Sequence, residues 1–368
     1  MDFINNLFPN LYEWLAGALH SLLAGFNLVK DAENAIVAAL MAIIVVVVVL
    51  LWLVVMVLVM IWLERKVAAR VQDRVGPNRV GPWGLLQAIA DTIKMFIKED
   101  IIPAKADRLV HTLAPMVAAA PAVLAFAVIP WGKGMVPVDL NIGLLWVVAI
   151  ASIGTIGAFM AGYGSNNKFS LLGGMRAVAQ MVSYEVPQVL TLVVIAMMTG
   201  SLSMNKIVDA QSGLGGLAWN ILAFPVGTIA FVIYYISALA EVVRAPFDIP
   251  EAESEIVAGY HTEYSGLKWG FFYVGEYFNF FLVCCVAVTM FFGGWQGPFL
   301  PPYVWFLIKV YALVILGMWI RMTWPRFRVD QLMGFAWKVL VPIALVNILL
   351  AGLHFDLFSL LRMMGWIS

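Results

Sequence analysis

The stretch IVAALMAIIVVVVVLLWLVVMVLVMIWL, residues 36–63, contains no charged side chain and is followed directly by the charged residues ERK. About 20 mainly apolar residues are enough for a helix to cross the hydrocarbon core of a membrane. We therefore predict a transmembrane helix over these residues. The whole chain is similarly apolar, because 63% of its 368 residues are hydrophobic, and this is too many for a soluble domain with a polar exterior.

The same length criterion predicts further spans along the chain. With the first, they cover roughly residues 36–63, 108–130, 142–162, 176–199, 217–240, 269–293, 302–320 and 334–353. The sequence thus predicts an all-α polytopic membrane protein with about eight transmembrane helices. We expect one membrane domain over residues 36–353, an N-terminal extension over 1–35 with a short interfacial helix, and a C-terminal tail over 354–368.

The basic side chains are distributed unevenly between the two ends of these spans. Most of them fall in the first, third, fifth and seventh connections, whereas the opposite side has only Lys30, Lys133, Lys206 and Arg362. The positive-inside rule places the basic connections in the cytoplasm, or in the matrix of an organelle, and both chain ends outside. We expect a multi-pass protein of the bacterial cell inner membrane, or of the mitochondrial inner membrane if it is organellar.

Composition and motifs exclude several function classes. The 22 basic and 22 acidic side chains cancel, so nothing favours nucleic acid as a partner. Cys284 and Cys285 are neighbours in an apolar run, which gives neither a disulfide framework nor a metal-ligand spacing. The sequence has no dinucleotide or phosphate-binding loop, no nucleophile elbow and no zinc motif. We expect this chain by itself to bind no cofactor or metal.

The first connection, 64–107, contains an amphipathic segment, GLLQAIADTIKMFIKED at 84–100. Its apolar residues recur at helical spacing while its charged residues point elsewhere, so we predict an interfacial helix at the membrane surface. The same connection carries Arg65, Arg74 and Arg79. These arginines either contact anionic lipid headgroups or line a polar mouth for an amphipathic ligand, and the residues alone leave both interpretations open.

Carboxylates are unusually common at or beside the predicted membrane depth. Glu185 lies in the fourth span, Glu241 ends the fifth and Glu276 lies inside the sixth. The loop between the last two adds Asp248, Glu251, Glu253, Glu255 and Glu263, so that seven acids face only Arg244 and Lys268 between 241 and 276.

Such crowding has a cost. An ionised carboxylate at the bilayer centre costs at least about 2.5 kcal/mol, and neighbouring carboxylates raise one another's pKa, so that protons are shared among them. This favours a proton relay. The alternative is a solvated acidic surface, but Glu185 and Glu276 stand in apolar runs, which argues for function.

Three stretches resemble a known family. They are LERKVAARVQDRVGPNRVGPWGLLQAIADTIKMFIKED at 63–100, AEVVRAPFDIPEAESEIVAGYHTEYSGLKWGFFYVGEY at 240–277 and RMTWPRFRVDQLMGFAWKVLVP at 321–342. All three closely resemble the hallmark stretches of one membrane subunit of respiratory complex I, known as the H subunit in bacteria and as subunit 1 in mitochondria. The resemblance covers the span pattern from about 36 to 353.

This resemblance implies a position at the joint of the membrane and hydrophilic arms, where the chain forms a ubiquinone chamber with two hydrophilic subunits and contacts neighbouring membrane subunits and lipids. Electrons would come from FMN and iron–sulfur clusters in partner subunits. The chamber and its mouth would involve Arg65, Arg74 and Asp91, with Arg244 supporting the loop. The proton relay would fall on Glu185, Glu241, Asp248, Glu251, Glu253, Glu255, Glu263 and Glu276.

Two other classes compete with this interpretation. The membrane anchor of a membrane-bound hydrogenase or formate hydrogenlyase is related, but it lacks the full PFDIPEAESE run that this chain has at 246–255. A self-sufficient cation antiporter or channel would need its own ion path through the span centres, with Lys309 as the main intramembrane base. The acids of this chain cluster instead toward the predicted cytoplasmic side, which favours complex I.

Overall fold

A computed structural model describes residues 30–216, 218–250 and 256–363. Within these ranges the chain forms helices of about two turns or more, joined by single turns and irregular connections. In chain order they are α1 Lys30–Val71, α2 Gln87–Ile97, α3 Arg108–Ala125, α4 Gly143–Gly164, α5 Lys168–Thr199, α6 Met204–Ala210, α7 Val226–Glu241, α8 Gly266–Phe291, α9 Pro302–Thr323, α10 Val329–Phe335 and α11 Val341–Met363. A π-helical segment, Ala336–Leu340, joins α10 to α11.

Among the described residues, seven helical stretches are long and apolar enough to cross a membrane. They are Ala39–Val71, Arg108–Val128, Gly143–Gly164, Lys168–Thr199, Gly266–Phe291, Pro302–Thr323 and Val329–Leu353. The predicted all-α polytopic membrane fold is therefore confirmed. The span predicted at 217–240 corresponds to the shorter apolar helix α7, which has 16 residues.

The late start of α7 has a local cause. Pro225 occupies the N-cap of this helix, and a proline disfavours helical backbone at the residue before it, which is Phe224. The residues that precede them form a short turn, Asn220–Leu222, rather than the first turns of the predicted span. An apolar helix is present in this region, but it begins nine residues later than the predicted start at 217.

Helix α1 continues beyond its predicted end at residue 63 and closes at Val71. Its 42 residues correspond to a length of about 63 Å, roughly twice the thickness of the hydrocarbon core. Glu64 and Arg65 therefore lie on a helix and not in a loop.

Capping residues define other helix ends. Asp107 precedes α3, and its carboxylate accepts from the backbone N–H of Leu109 at 3.1 Å. Asn167 precedes α5 and accepts from the N–H of Phe169 at 3.0 Å. At the other end of α5, Gly200 has a φ of 66°, a left-handed conformation that glycine adopts without a Cβ penalty.

Small residues bring neighbouring helices close together. A Cβ atom added at Gly157 of α4 would lie 2.5 Å from the backbone nitrogen of Ala118 in α3. Such contacts are typical of helix pairs in membranes, where close backbone approach replaces the hydrophobic effect as a source of association. Helix α4 packs in turn on α5, and α5 packs on α7. Helix α8 is the most deeply buried of the spanning helices and passes through the middle of this arrangement.

Candidate functional site

Three of the predicted relay carboxylates line one internal cavity. Glu185 comes from α5, Glu241 from the end of α7 and Glu276 from α8, and the cavity between them has a volume of about 90 Å³. Gln188 and Asn279 add polar groups to a lining that is otherwise largely apolar. A space of this size can hold water where these polar groups supply hydrogen-bond partners. Acids that lie up to 91 residues apart in the sequence therefore meet in one place.

The three carboxylates have different surroundings. Glu185 accepts a short hydrogen bond from the Ser152 hydroxyl of α4. Glu276 Oε1 accepts from Arg244 Nε at 2.8 Å. Glu241 Oε2 is buried and has no hydrogen-bond partner among the described residues. A buried carboxyl oxygen without a partner costs free energy unless a proton or a water molecule satisfies it.

Arg244 connects this cavity to a second buried carboxylate. Its Nη1 donates to Glu64 Oε2 at 3.0 Å, and Glu64 also pairs with Arg321. The guanidinium lies over the rings of Tyr277 and Phe280, at 4.4 and 4.3 Å from the ring centres. Burial disfavours the charged guanidinium, but the Glu64 and Glu276 carboxylates outweigh this effect and raise the pKa of Arg244 above its usual value.

The turn after α7 directs Arg244 inward. Val243 has a φ of 60°, a left-handed conformation that is costly for a β-branched residue and persists only where surrounding contacts hold it. The Arg244 backbone N–H donates to the Leu239 carbonyl at 3.4 Å, which closes the turn. The ion pairs of Arg244 supply contacts that stabilise this strained backbone.

Sequence reasoning missed Glu64 and Arg321 as members of the buried network. Glu64 stands directly after 28 apolar residues, at the start of the first predicted connection, and Arg321 stands directly after the span predicted at 302–320. The available signal was a single carboxylate at the end of a long apolar run. Its partners are 180 and 257 residues away, and no periodicity or motif spacing indicates pairing at that range.

A separate open cleft lies between the end of α1 and the start of α2. It has a volume of about 790 Å³, and its charged lining is Arg65, Arg74 and Arg79. The rest of the lining comes from Val75, Gly76, Pro77, Asn78 and Gln87. Two predicted quinone-site residues thus face one open space. Arg244, the third predicted arginine, does not line this cleft and lies in the buried network.

Asp91 of α2 holds one of these arginines in place. Its Oδ2 accepts from Arg65 Nη1 at 2.5 Å, and its Oδ1 accepts from Gln87 Nε2 at 2.9 Å. Burial raises the pKa of the Asp91 carboxyl, but the bonds from Arg65 and Gln87 outweigh burial and lower the pKa below its ordinary value. The amphipathic segment predicted at 84–100 is confirmed as α2, Gln87–Ile97.

The other predicted relay acids lie elsewhere or outside the described residues. Asp248 Oδ2 pairs with Arg326 Nη2 at 2.9 Å, and Glu263 Oε1 accepts from Asn167 Nδ2 at 2.6 Å. Neither lines the cavity. Bases and amides from distant segments meet these acids, so a charge count along residues 241–276 overstates their crowding. The remaining predicted acids, Glu251, Glu253 and Glu255, lie outside the described residues.

Lys309, the candidate base of an antiporter, has a different set of contacts. Its ammonium donates to the backbone carbonyls of Phe292, Gly294 and Gln296 at 2.7, 3.1 and 2.6 Å. It therefore satisfies carbonyl groups just beyond the C-terminus of α8, where a cation is favoured. In the described part of the chain, no group of three His, Cys, Asp or Glu side chains is arranged to hold a metal ion.

The sequence model of the family described as NADH dehydrogenase matches residues 43–352. This chain belongs to that family. Among its relatives, the NADH-quinone oxidoreductase H subunit of Dehalococcoides mccartyi strain CBDB1 is 53% identical over 292 residues, which cover 79% of this chain and 80% of the relative. An NADH-quinone oxidoreductase H subunit of Geobacter metallireducens is 51% identical over 79% of this chain and 89% of its own length.

A third relative extends the match further. An NADH-quinone oxidoreductase H subunit of Syntrophobacter fumaroxidans is 48% identical over 338 residues, or 89% of this chain and 96% of that protein. Membership of the NADH dehydrogenase family confirms the resemblance seen in the three quoted stretches. The cavity, the buried Arg244 network and the arginine-lined cleft all lie within the residues that the family match covers.

Proposed function

We propose that this chain is the quinone-chamber membrane subunit of a proton-pumping NADH:quinone oxidoreductase, where it helps bind ubiquinone and couples its reduction to proton translocation. One observation carries the coupling part. Glu185, Glu241 and Glu276 share a cavity large enough for water, and Glu276 is joined through Arg244 to Glu64 near the arginine-lined cleft. Carboxylates that can hold protons are thus connected to a cleft whose arginines can bind the polar headgroup of a quinone.

The chemistry of the cleft suits a quinone. A quinone headgroup presents two carbonyl oxygens, and Arg65 and Arg74 supply guanidinium donors from the cleft wall. The volume of about 790 Å³ falls within the range of small-molecule sites. Exposed apolar side chains close by in the sequence, Trp83, Leu86 and Ile89, offer a surface for an apolar tail. Electrons would be supplied by FMN and iron–sulfur clusters held by partner subunits.

The ion pairs of the buried network leave Glu185 and Glu241 as the carboxylates that can carry a proton. Glu64 and Glu276 are balanced by Arg244 and Arg321, so this group of four is neutral overall. A proton that enters the cavity is therefore best accepted by the remaining carboxylates, Glu185 and Glu241. Because coupled groups titrate as a set, a change of charge at the cleft would redistribute protons among them.

In this proposal the chain works within an inner membrane and within the assembled complex. The predicted cytoplasmic end of the bundle carries the cleft, so hydrophilic subunits would complete the quinone chamber there, while neighbouring membrane subunits and lipids cover the apolar faces. The proposed membrane domain, residues 36–353, contains both the cleft and the cavity.

A photoreactive ubiquinone analogue tests the quinone site directly. In the assembled complex, we expect it to label this chain between Arg65 and Asp91, and we expect excess ubiquinone to prevent the labelling. Labelling that never falls on this chain, or that ubiquinone does not reduce, would contradict the proposed site. The coupling part is tested by glutamate-to-glutamine substitution in the cavity, with quinone reduction and proton transfer measured side by side.

A further inference from the structure

Two tyrosines of α8 form a hydroxyl pair that the proposed function does not yet use. The hydroxyls of Tyr273 and Tyr277 lie 3.1 Å apart, and either can donate. The residues are one turn apart on the same helix face, with ring centres separated by 5.0 Å. The Tyr273 ring also stacks on Trp269 at 5.2 Å with planes 15° apart. These contacts hold the two rings in position.

Tyr277 belongs to the buried charge network. Its hydroxyl interacts with the Glu64 carboxylate through a side-chain hydrogen bond, and Arg244 lies 4.4 Å from its ring centre. Glu276, the next residue before it, lines the cavity and pairs with Arg244. A proton on Tyr277 is thus one or two contacts from the carboxylates of the proposed relay.

Tyr273 lies about one turn of α8 from Gly270, on the part of the helix that meets α2. Both tyrosines interact electrostatically with Arg65, which lines the cleft and pairs with Asp91. Helix α2 packs against this part of α8, and a Cβ atom at Gly270 would lie 3.1 Å from the sulfur of Met95. The hydroxyl pair therefore stands between the arginine-lined cleft and the buried network.

We propose that the Tyr273–Tyr277 hydroxyl pair is a proton-carrying link between the quinone cleft and the Glu64–Arg244–Glu276 network. A tyrosine hydroxyl can donate and accept hydrogen bonds at once. Tyr277 gives its O–H proton to the Tyr273 oxygen, Tyr273 gives its own to water in the cleft, and a proton from Glu185 or Glu241, passed through Glu276 of the same cavity, restores Tyr277. One proton moves, no electrons move, and both hydroxyls end neutral.

This inference rests on the proposed function and names additional residues for it. Neither tyrosine is assigned contact with the quinone, so both act through other groups. The ring of Tyr273 would stack on Trp269 equally well as phenylalanine, so its hydroxyl contributes to the connection and little to the packing. The substitution Tyr273→Phe therefore separates a proton-carrying role from a structural one.

The test uses the assembled complex in vesicles with Tyr273→Phe and a matched control, Tyr163→Phe. Tyr163 likewise stacks on a neighbouring ring, that of Phe159, and lies outside the cleft and cavity. We expect Tyr273→Phe to lower quinone reduction at least about fivefold, less than the roughly 10²-fold of a lost general acid because water can partly replace the hydroxyl. The solvent isotope effect on quinone reduction should rise, and NADH oxidation by an artificial acceptor should stay unchanged.

A second variant, Tyr277→Phe, distinguishes the loss of a proton-carrying hydroxyl from a loss of activity caused by altered packing. If the two hydroxyls act in series, the double variant should reduce quinone no more slowly than the slower of Tyr273→Phe and Tyr277→Phe. Independent effects of the two substitutions would instead multiply. Normal turnover and an unchanged isotope effect in Tyr273→Phe, or multiplied losses in the double variant, would overturn the link. Glu241→Gln, measured in parallel, separates the two proposals: if it impairs coupling while Tyr273→Phe does not, only the link fails.

Discussion

Arg244 Nη1 lies 3.0 Å from Glu64 Oε2, although 180 residues separate the two in the sequence. The pair joins the end of α1 to the turn after α7, and both side chains are buried. It thereby fastens the helix that carries the cleft arginine Arg65 to the segment that begins with the cavity acid Glu241.

The first prediction concerns this pair. Arg244→Met leaves Glu64 and Glu276 buried with Arg321 as the one remaining cation of the group of four, and removal of one partner from a buried ion pair typically costs about 3–5 kcal/mol. We expect a clearly lower thermal unfolding midpoint for the purified complex. The control is Arg328→Met, because Arg328 pairs with Asp330 on the surface and exposed pairs contribute about 0–1 kcal/mol. Equal midpoints for the two variants would contradict the network.

The second prediction concerns the cleft. Arg74→Met removes a guanidinium from its wall, so quinone reduction should fall and sensitivity to quinone-site inhibitors should change, while assembly and NADH oxidation by an artificial acceptor remain. Arg70→Met is the control, since Arg70 is exposed at the end of α1 and outside the cleft lining. If Arg74→Met impairs assembly alone, Arg74 contacts lipid and does not take part in quinone binding at the cleft, which would contradict the prediction.

The third prediction concerns pH. The pKa of Asp91 is lowered in the folded state because bonds from Arg65 and Gln87 outweigh burial. Its stabilising contribution should therefore be complete above the ordinary carboxyl value of 3.8 and disappear as the pH falls through the lower folded-state value. The difference in unfolding midpoint between the parent and Asp91→Asn, measured across this range, should shrink toward acid. A difference that grows toward acid would mean that folding raises the pKa of Asp91, which contradicts the prediction.

The fourth prediction concerns helix packing. In Gly157→Ala, the new methyl group would lie 2.5 Å from the Ala118 backbone nitrogen, whereas at Gly154 the nearest atom is 3.9 Å away. Overpacking against backbone typically costs about 1–3 kcal/mol, so Gly157→Ala should lower the yield and thermal stability of the complex. Gly154→Ala should leave both unchanged. Equal tolerance of the two alanines would mean that α3 and α4 are not packed this closely.

Local patterns were sufficient for much of the fold. Apolar runs of about 20 residues predicted the spans, and the helical recurrence of apolar residues at 84–100 predicted α2. The ends of the helices were less predictable, because the hydropathy of a segment does not determine the residue at which its helix begins or ends. Pro225 delays α7, and α1 continues through charged residues to Val71.

The site was only partly predictable. The cost of intramembrane carboxylates pointed to Glu185, Glu241 and Glu276, which the structure brings to one cavity. The same reasoning grouped Asp248 and Glu263 with them, yet their partners come from distant segments. Pairing between remote segments depends on tertiary packing and leaves no periodic trace in the sequence, which is also why Glu64 and Arg321 were missed.

The most direct test of the central claim is proton translocation by Glu241→Gln in the complex reconstituted into vesicles, with Glu99→Gln, an exposed carboxylate outside the cavity, as the control. The substitution preserves shape and removes the titrating group. We predict that quinone reduction and proton pumping fall together in Glu241→Gln, since in a tightly coupled machine a blocked relay also stalls the electron step, and that Glu99→Gln remains normal. Full quinone reduction with an undiminished proton gradient in Glu241→Gln, and likewise in Glu185→Gln, would contradict the relay.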